Sequence, residues 1–504
     1  MRSVVRMSNG SADKSRRSAV PALACRDLTF RYASGCDPVF ESVSLTVMPG
    51  EVVLVMGPSG CGKSTLAYCL AGLYPEYAGE LSGTVEAGGE DVSAMGPQAR
   101  SQAVSILFQN PDNQFCMDTV RHEVLFALEN VCYPGDLAAR CEELLDRAGL
   151  AVYADKPVYA LSGGTKQKLA LVTALATGAR TLVLDEPFAN LDPLSCRRLA
   201  DELRHLNEQG VTLVVVDHRP GWWLPFAARV VFMERKGDLD ARSFPPGEVL
   251  AHAGDFTARG LFLGSDWLRG YRPPDVPAGA PAAVRARDLS VSHGRERVLS
   301  SVDLDLPRGS VTSLVGECGS GKSTLLAAIA GAGRYGGELA VGGRVGLVFQ
   351  NPRFQFLALT VVEEVLVTLR AARPGVPDAE LLPDARALLA EFGLADRADA
   401  SPYELSQGQQ RRLALLAMLA ARADVLLLDE PTYAQDERST RFILDLLRAR
   451  VDQGLTVLIA THDVELARAI SNKVLLAGDG SVRELSPAEV DAYAEERREP
   501  ACAR

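Results

Sequence analysis

Two nine-residue runs carry the residue types best suited to chemistry, GPSGCGKST at Gly57–Thr65 and GECGSGKST at Gly316–Thr324. Each has a glycine, four residues, then glycine, lysine and a hydroxyl residue, placed between an apolar run and a helical pattern. There, backbone N–H groups and a helix N-terminus can wrap a chain of phosphates. The expected contacts are Gly57, Ser59, Gly60, Gly62, Lys63, Ser64 and Thr65 in the first run, and Gly316, Gly319, Gly321, Lys322, Ser323 and Thr324 in the second. Lys63 and Lys322 would reach the β/γ-phosphates, while the Ser64 and Ser323 hydroxyls would hold Mg2+. The chain has only eight lysines against 45 arginines, yet both runs carry lysine. A compact ammonium suits this cradle better than a forked guanidinium.

Two acidic pairs, Asp185-Glu186 and Asp429-Glu430, each end an apolar run (LVLDEP and LLLDEP). Asp185 and Asp429 are placed to hold the metal through its water. Glu186 and Glu430 can polarise a water for attack on phosphorus. Together these residues specify an ATPase that uses Mg2+.

The elements that must position them occur twice. The second glycine-rich run lies 259 positions after the first, FQNPRFQF 241 after FQNPDNQF (from Phe108), and LSQGQQRRLAL and LLLDEP 244 after LSGGTKQKLAL (from Leu161) and LVLDEP (from Leu182). The order is the same, but the spacing shrinks by 18 between the first two motifs, so the second copy lacks a loop or strand pair there. Strands are expected at 51–56, 181–184 and 212–216, and at 310–315, 425–428 and 456–460, with helices straight after each glycine-rich run. Near-continuous apolar strands covered by helices imply an α/β fold built on a mostly parallel sheet. The boundaries read as a mobile tail at 1–21, a first domain at 22–253, a proline-rich linker at 254–282 with a short helix around Phe256–Leu263, a second domain at 283–495 and a tail at 496–504.

Composition narrows the classes. With 504 residues, 47% of them hydrophobic and 23% charged, the chain is long enough for two folded domains. No apolar stretch approaches the roughly 20 residues of a membrane span, and the N-terminus lacks the apolar core of a signal peptide. The net charge of −11 gives no general attraction to nucleic acid. Ten cysteines without a C-x2-C pair indicate neither zinc nor a disulfide framework, which fits a reducing compartment.

LSGGT at Leu161–Thr165, followed about twenty residues later by LVLDEP, resembles the signature and Walker B motifs of ABC ATPases, and the resemblance covers both halves. It implies two tandem P-loop NTPase domains of the ABC type, each with a helical subdomain. It makes Gln109 and Gln350 the Q-loop glutamines that approach the metal, places Asp192 and Asp436 in D-loops, and makes His218 and His462 the switch histidines beside the catalytic Glu186 and Glu430. It also implies an intramolecular dimer in which each ATP lies between one P-loop and the opposite signature. Ser406 and Gly408 would then complete the first site, and Ser162, Gly163 and Gly164 the second. Tyr32 is the expected adenine neighbour in the first half, with His293 as its counterpart. Gln407 stands where the first half has Gly163, and a side chain there is expected to restrict the backbone.

QNPDNQF and QNPRFQF are similar to the segment after the Q-loop in the ATPases of energy-coupling factor (ECF) vitamin and metal importers, and so are Phe30–Tyr32 and Val124–Asn130. That likeness implies a motor subunit, peripheral on the cytoplasmic face of the membrane, which turns over MgATP for separate integral-membrane subunits that select the substrate. Asp112, Asp118 and Glu123 in the first half, and Glu363 and Glu364 in the second, are expected to form acidic docking faces for those subunits. The alternatives are the ATPase of another importer, such as a sugar importer, or a ribosome-associated tandem ABC ATPase. The latter carries a long charged linker, unlike the short proline-rich one here. Trp222 and Trp223 are expected to pack internally.

Overall fold

The computed structural model describes residues 20–498 and 500, except 59, 190, 235, 240–241, 250, 253, 255, 257–265, 295 and 433–436. The N-terminal tail up to 19, Ser59, Asp436 and most of the helix expected around Phe256–Leu263 lie outside the described residues. Two compact units divide the chain, one of residues up to 189 with 195–261, the other of 190–194 with residues from 262 onward.

In the first unit the central sheet runs in the order 104–107, 181–185, 212–216, 52–56, 229–232 and 243–244. All of its pairings are parallel except the last. VVLVM, TLVLD and TLVVV are buried along their whole length, as expected for strands covered by helices on both faces. A second, antiparallel sheet pairs Leu23–Arg31 with Phe40–Val47 and Glu80–Ala87. The helices Val120–Asn130, Leu137–Arg147 and Gly163–Ala176 close their own small core around Val124, Leu145 and Leu169.

The second unit repeats the plan, with the order 345–348, 425–429, 456–460, 311–315, 473–478 and 481–484. Its helical region is built from Val361–Ala372, Asp378–Glu391 and Gln407–Ala420. The missing stretch is a specific one. The first unit places the two-residue strand Glu90–Asp91, a 3-10 turn and the helix Pro97–Ala103 between Glu80–Ala87 and Val104–Leu107. The second passes directly from Tyr335–Val341 to Val345–Val348. A short strand and a helix are gone, rather than a strand pair.

Part of the stretch read as linker is bound into the second unit. Leu268 joins its core, Arg441 lies over the Trp267 ring at 5.2 Å, and the Tyr271 hydroxyl donates to Asp445 Oδ1 at 2.8 Å.

Candidate functional site

Each glycine-rich run turns from a buried strand into a helix that begins at its lysine, Lys63–Leu70 and Lys322–Ile329. The residue capping each helix, Gly62 or Gly321, has φ of 100° or 92°. A Cβ there would come within 2.7 Å of Val39 Cγ1 or Val298 Cγ1, so conformation and space both require glycine. Lys63 Nζ is folded back over its own loop, donating to the carbonyls of Gly57 (2.8 Å) and Pro58 (3.2 Å). Lys322 does the same to Gly316 (2.8 Å) and Glu317 (2.9 Å). Tyr32 is half exposed, with its hydroxyl 2.9 Å from Thr65 Oγ1, at the mouth of the first loop.

The acidic pairs close on these loops. Ser64 Oγ donates to Asp185 Oδ1 at 2.9 Å. Asp185 Oδ2 is buried with no hydrogen-bond partner among the described residues. Burial, then the charge of Glu186, pushes the Asp185 carboxyl up to about 7. Asp429 is pushed up to about 6, chiefly by burial, against the hydrogen bond from Ser323. A serine hydroxyl beside an under-satisfied buried carboxylate is a hard-oxygen donor pair that a bound cation would complete. No group of three or more His, Cys, Asp or Glu able to hold a metal occurs among the described residues. The Ser–Asp pair suits Mg2+, which binds one or two protein oxygens and takes its other ligands from phosphates and water.

Glu186 and Glu430 both sit in the left-handed region, φ 45° and 49°. Their backbone N–H groups bond sideways to Val216 O (2.8 Å) and Ala460 O (2.9 Å) on the next strand, which holds the unfavourable turn. His218 Nδ1 lies 3.6 Å from Glu186 Oε1, and His462 Nδ1 3.0 Å from Glu430 Oε2. Burial alone would lift these two carboxyls. The histidines, and next Lys63 or Lys322, outweigh it and leave both below the ordinary glutamate value. Gln109 Nε2 donates to Glu186 Oε2 at 2.7 Å, so Lys63, Ser64, Gln109, Asp185, Glu186 and His218 form one connected cluster. In the second unit Arg411 holds the Gln350 carbonyl at 2.8 Å, near the end of its own cluster.

The signature residues begin a helix in each unit. Ser162 caps Gly163–Ala176 through the Thr165 N–H, and Ser406 caps Gln407–Ala420 in a reciprocal box with Gln409. Gly164 and Gly408 lie in the first turn of those helices. Gly163 and Gln407 are their first residues, with ordinary helical backbone. Glutamine therefore adds no dihedral cost at this position, which leaves close approach of the backbone as the role open to glycine in the first half. Asp192 accepts from the Leu194 N–H at 3.0 Å. The side chain of His293 lies outside the described residues.

Residues outside the phosphate-binding loops also shape the region. Gln114 Nε2 donates to Ala170 O at 3.2 Å, and its counterpart Gln355 to Ala414 O at 3.1 Å. Each thus fastens the segment after the Q-loop to the signature helix. Glu123 and Glu364, expected on an acidic face, are instead buried, 4% and 3% exposed. Glu123 Oε2 accepts the N–H groups of Cys116 (2.9 Å) and Met117 (2.7 Å), and Glu364 Oε2 those of Leu357 (2.8 Å) and Ala358 (2.9 Å). They are internal clamps, unavailable to a docking subunit. Asp112 is on the surface but already paired to Lys166 at 2.7 Å. Trp222 and Trp223 are buried as expected, and Trp223 Nε1 donates to Asp217 Oδ2 at 2.9 Å.

The model of the ABC transporter family matches residues 40–189 and 299–433, more than half of the chain. A protein of Bacillus subtilis (strain 168) named "Putative HMP/thiamine import ATP-binding protein YkoD" is 35% identical, across 93% of this chain and 92% of its own. A Streptomyces avermitilis protein named "Putative ABC transporter ATP-binding protein" is 32% identical, across 90% and 92%. Among solved structures, "Model of ribosome-bound archaeal Pelota and ABCE1" is similar at a TM-score of 0.65 over 95% of this chain and 82% of that one, with 21% identity. "RNase-L Inhibitor" is similar at 0.59 over 94% and 93%, with 20% identity. At such identities the two structures speak for the fold alone. With one family model matching both halves and whole-length relatives at this identity, the chain belongs to the ABC transporter family, as an ATPase with two fused ABC domains acting on ATP with Mg2+.

Proposed function

We propose that this ATPase is the motor subunit of an importer of the energy-coupling-factor type, which couples MgATP hydrolysis to uptake of a vitamin or metal ion through separate integral-membrane subunits. It would act at the cytoplasmic face of the membrane as a peripheral protein. No helix among the described residues is long and apolar enough to cross a membrane. The observation that carries the reading is the doubled Q-N-P-x-x-Q segment, whose last glutamine, Gln114 or Gln355, is bonded to the signature helix of its own unit. A push on that segment would reach the helix that starts at Ser162 or Ser406. The name of the Bacillus subtilis relative, which refers to import of HMP and thiamine, points the same way.

Under this reading Lys63 and Lys322 bind the β/γ-phosphates, the Ser64–Asp185 and Ser323–Asp429 pairs hold Mg2+, and Tyr32 stacks on adenine. Glu186 and Glu430 orient the attacking water, each steadied by its histidine. Each P-loop is completed by the signature of the other half, as the resemblance implies. Phosphoryl transfer needs mainly positioning and charge, which these residues supply. The test is affinity purification from native membranes, with the co-purifying subunits identified and screened for bound small molecules. Integral-membrane subunits carrying a vitamin or metal ion are expected. Recovery with ribosomal particles instead would overturn the reading.

A further inference from the structure

The two glycine-rich loops hold their lysines alike but differ in the charge beside them. Pro58 and Glu317 stand at equivalent positions, and the backbone carbonyl of each accepts from its loop lysine, Lys63 or Lys322. Proline brings no charge. Glu317 instead places a carboxylate on the second residue of a run that reads as a cradle for phosphates. Left alone, that carboxylate would repel a polyphosphate. The structure sets a cation against it. Arg497 Nη2 lies 3.7 Å from Glu317 Oε1, and the Arg497 side chain is only 10% exposed while that of Glu317 is 59% exposed.

Arg497 is itself held firmly. Its guanidinium lies 3.6 Å from the centroid of the Tyr493 ring, and its Nη1 donates to Glu496 Oε2 at 2.5 Å. Its backbone N–H closes the end of the helix Pro487–Glu496 on Ala494 O at 3.1 Å. Ser486 and Glu489 cap the start of that helix reciprocally. Val490 and Ala494 share a buried apolar cluster with Val464 and Ala467, on the helix after His462, and with Val315, the residue before Gly316. A stacked, fork-shaped cation at the end of an anchored helix is a fixed charge. It faces the side chain of the residue whose carbonyl oxygen holds Lys322 Nζ at 2.9 Å.

We infer that Arg497 is a positioning residue for nucleotide in the second unit. By offsetting Glu317 it lets a loop with a built-in negative charge take the phosphates of ATP, a requirement the first loop does not have. The helix Pro487–Glu496 thereby becomes a determinant of ATP affinity at the second loop. This rests on the reading of Gly316–Thr324 as a phosphate-binding loop proposed above.

The test uses the full-length chain in a Lys63→Ala background, where the second loop is the intact one, and titrates MgATP and MgADP at equilibrium. Arg497→Gln should weaken ATP binding by about fivefold at low salt, and ADP binding by less because ADP carries one phosphate fewer. Added salt should shrink both losses. Arg497→Lys, which keeps the charge and gives up the stacked fork, should fall between the parent and Arg497→Gln. Glu317→Gln should bind ATP at least as tightly as the parent, and Glu317→Gln/Arg497→Gln should recover to within about twofold of it. Arg498, the next residue, pairs with Glu495 at 3.4 Å, and Arg498→Gln should leave ATP affinity as it was. In a Lys322→Ala background, Arg497→Gln should leave the affinity of the first loop as it was. Unchanged ATP affinity in Arg497→Gln would overturn the inference and leave the phosphate-loop reading standing. So would a double variant as weak as Arg497→Gln alone, since a helix end that only braces the fold gains nothing from the loss of Glu317. A Lys63→Ala protein that binds no ATP, while Lys322→Ala does, would overturn the phosphate-loop reading of the second run and the inference with it.

Discussion

Replacing Glu123 tests whether the segment after the Q-loop is held from inside. Glu123 Oε2 alone accepts two backbone N–H groups, those of Cys116 at 2.9 Å and Met117 at 2.7 Å. Glu123→Ala strands both donors together. An unsatisfied buried donor costs about 1–3 kcal/mol, and because Cys116 itself lies on the surface the two together should lower the local opening free energy by about 1–3 kcal/mol. Amide exchange at Cys116 and Met117 should then quicken by about 5- to 150-fold. Glu123→Gln should behave differently, because its carbonyl oxygen can occupy the same place. Burial lifts the Glu123 carboxyl above its ordinary value, against the pull of the two N–H groups. A raised folded value means the loop is steadiest below the ordinary carboxylate value of about 4.3 and gives up that margin as pH rises through the folded value. At neutral pH a permanently uncharged glutamine should therefore hold the loop far better than alanine does. The assay is hydrogen exchange by mass spectrometry on peptides covering 114–119, with 355–360 as internal control. Glu364→Ala should reverse the roles of the two peptides. Unchanged exchange in Glu123→Ala, or equal damage from glutamine and alanine, would refute the clamp.

The double variant Glu186→Gln/Glu430→Gln should still bind MgATP while its turnover falls by about 100-fold or more; near wild-type ATPase activity would remove both glutamates from the chemistry. Lys63→Ala and Lys322→Ala, compared for nucleotide affinity by equilibrium titration, should differ, with the protein that keeps Lys63 binding more tightly. Stacking on Tyr32 is worth about 0.5–1.5 kcal/mol, or roughly 2- to 10-fold, and equal or reversed affinities would sink that assignment. Trp223→Phe deletes the donor to Asp217 Oδ2, leaving a buried carboxylate oxygen short of a partner. It should lower the stability of the first unit by about 1–3 kcal/mol in denaturant titration, and no change would show that Asp217 finds another donor.

The candidate residues could be read from the sequence because the chemistry proposed for them admits few residue types at few spacings. Gly62, Lys63, Ser64, Asp185 and Glu186 were readable before any strand was placed, and so were their second-half counterparts. Alternation and apolar runs found the central strands to within a residue, since strands buried on both faces leave little room for polar residues. What failed to show was burial of charge. Glu123 and Glu364 carry the same letter as a solvated glutamate, and only the backbone that folds around them turns them inward. The dihedral part of the expectation at Gln407 failed for a related reason. A glycine in a motif suggests a special backbone, yet residue 163 lies in ordinary helix, so no unusual dihedral is needed at that position. The motif spacing registered that the second half is 18 residues shorter, but not that most of the difference is the strand–turn–helix Glu90–Ala103, because a length difference carries no secondary structure.

The likeness and the difference between the halves are unevenly distributed. Both glutamates that would orient water are held in the left-handed region, at a cost of about 1–3 kcal/mol each. Both meet that cost with a bond to the next strand, and both face a histidine. A strained conformation kept in two copies with the same supports argues that each half needs its carboxylate aimed along the same line. The copies diverge where no reacting atom is involved. Asp112 pairs with Lys166 in one half, whereas Arg353 meets Gln410 in the other, and the solvent-facing loop is polar in one and apolar in the other. On the importer reading proposed above, the difference between the halves lies in what each one touches.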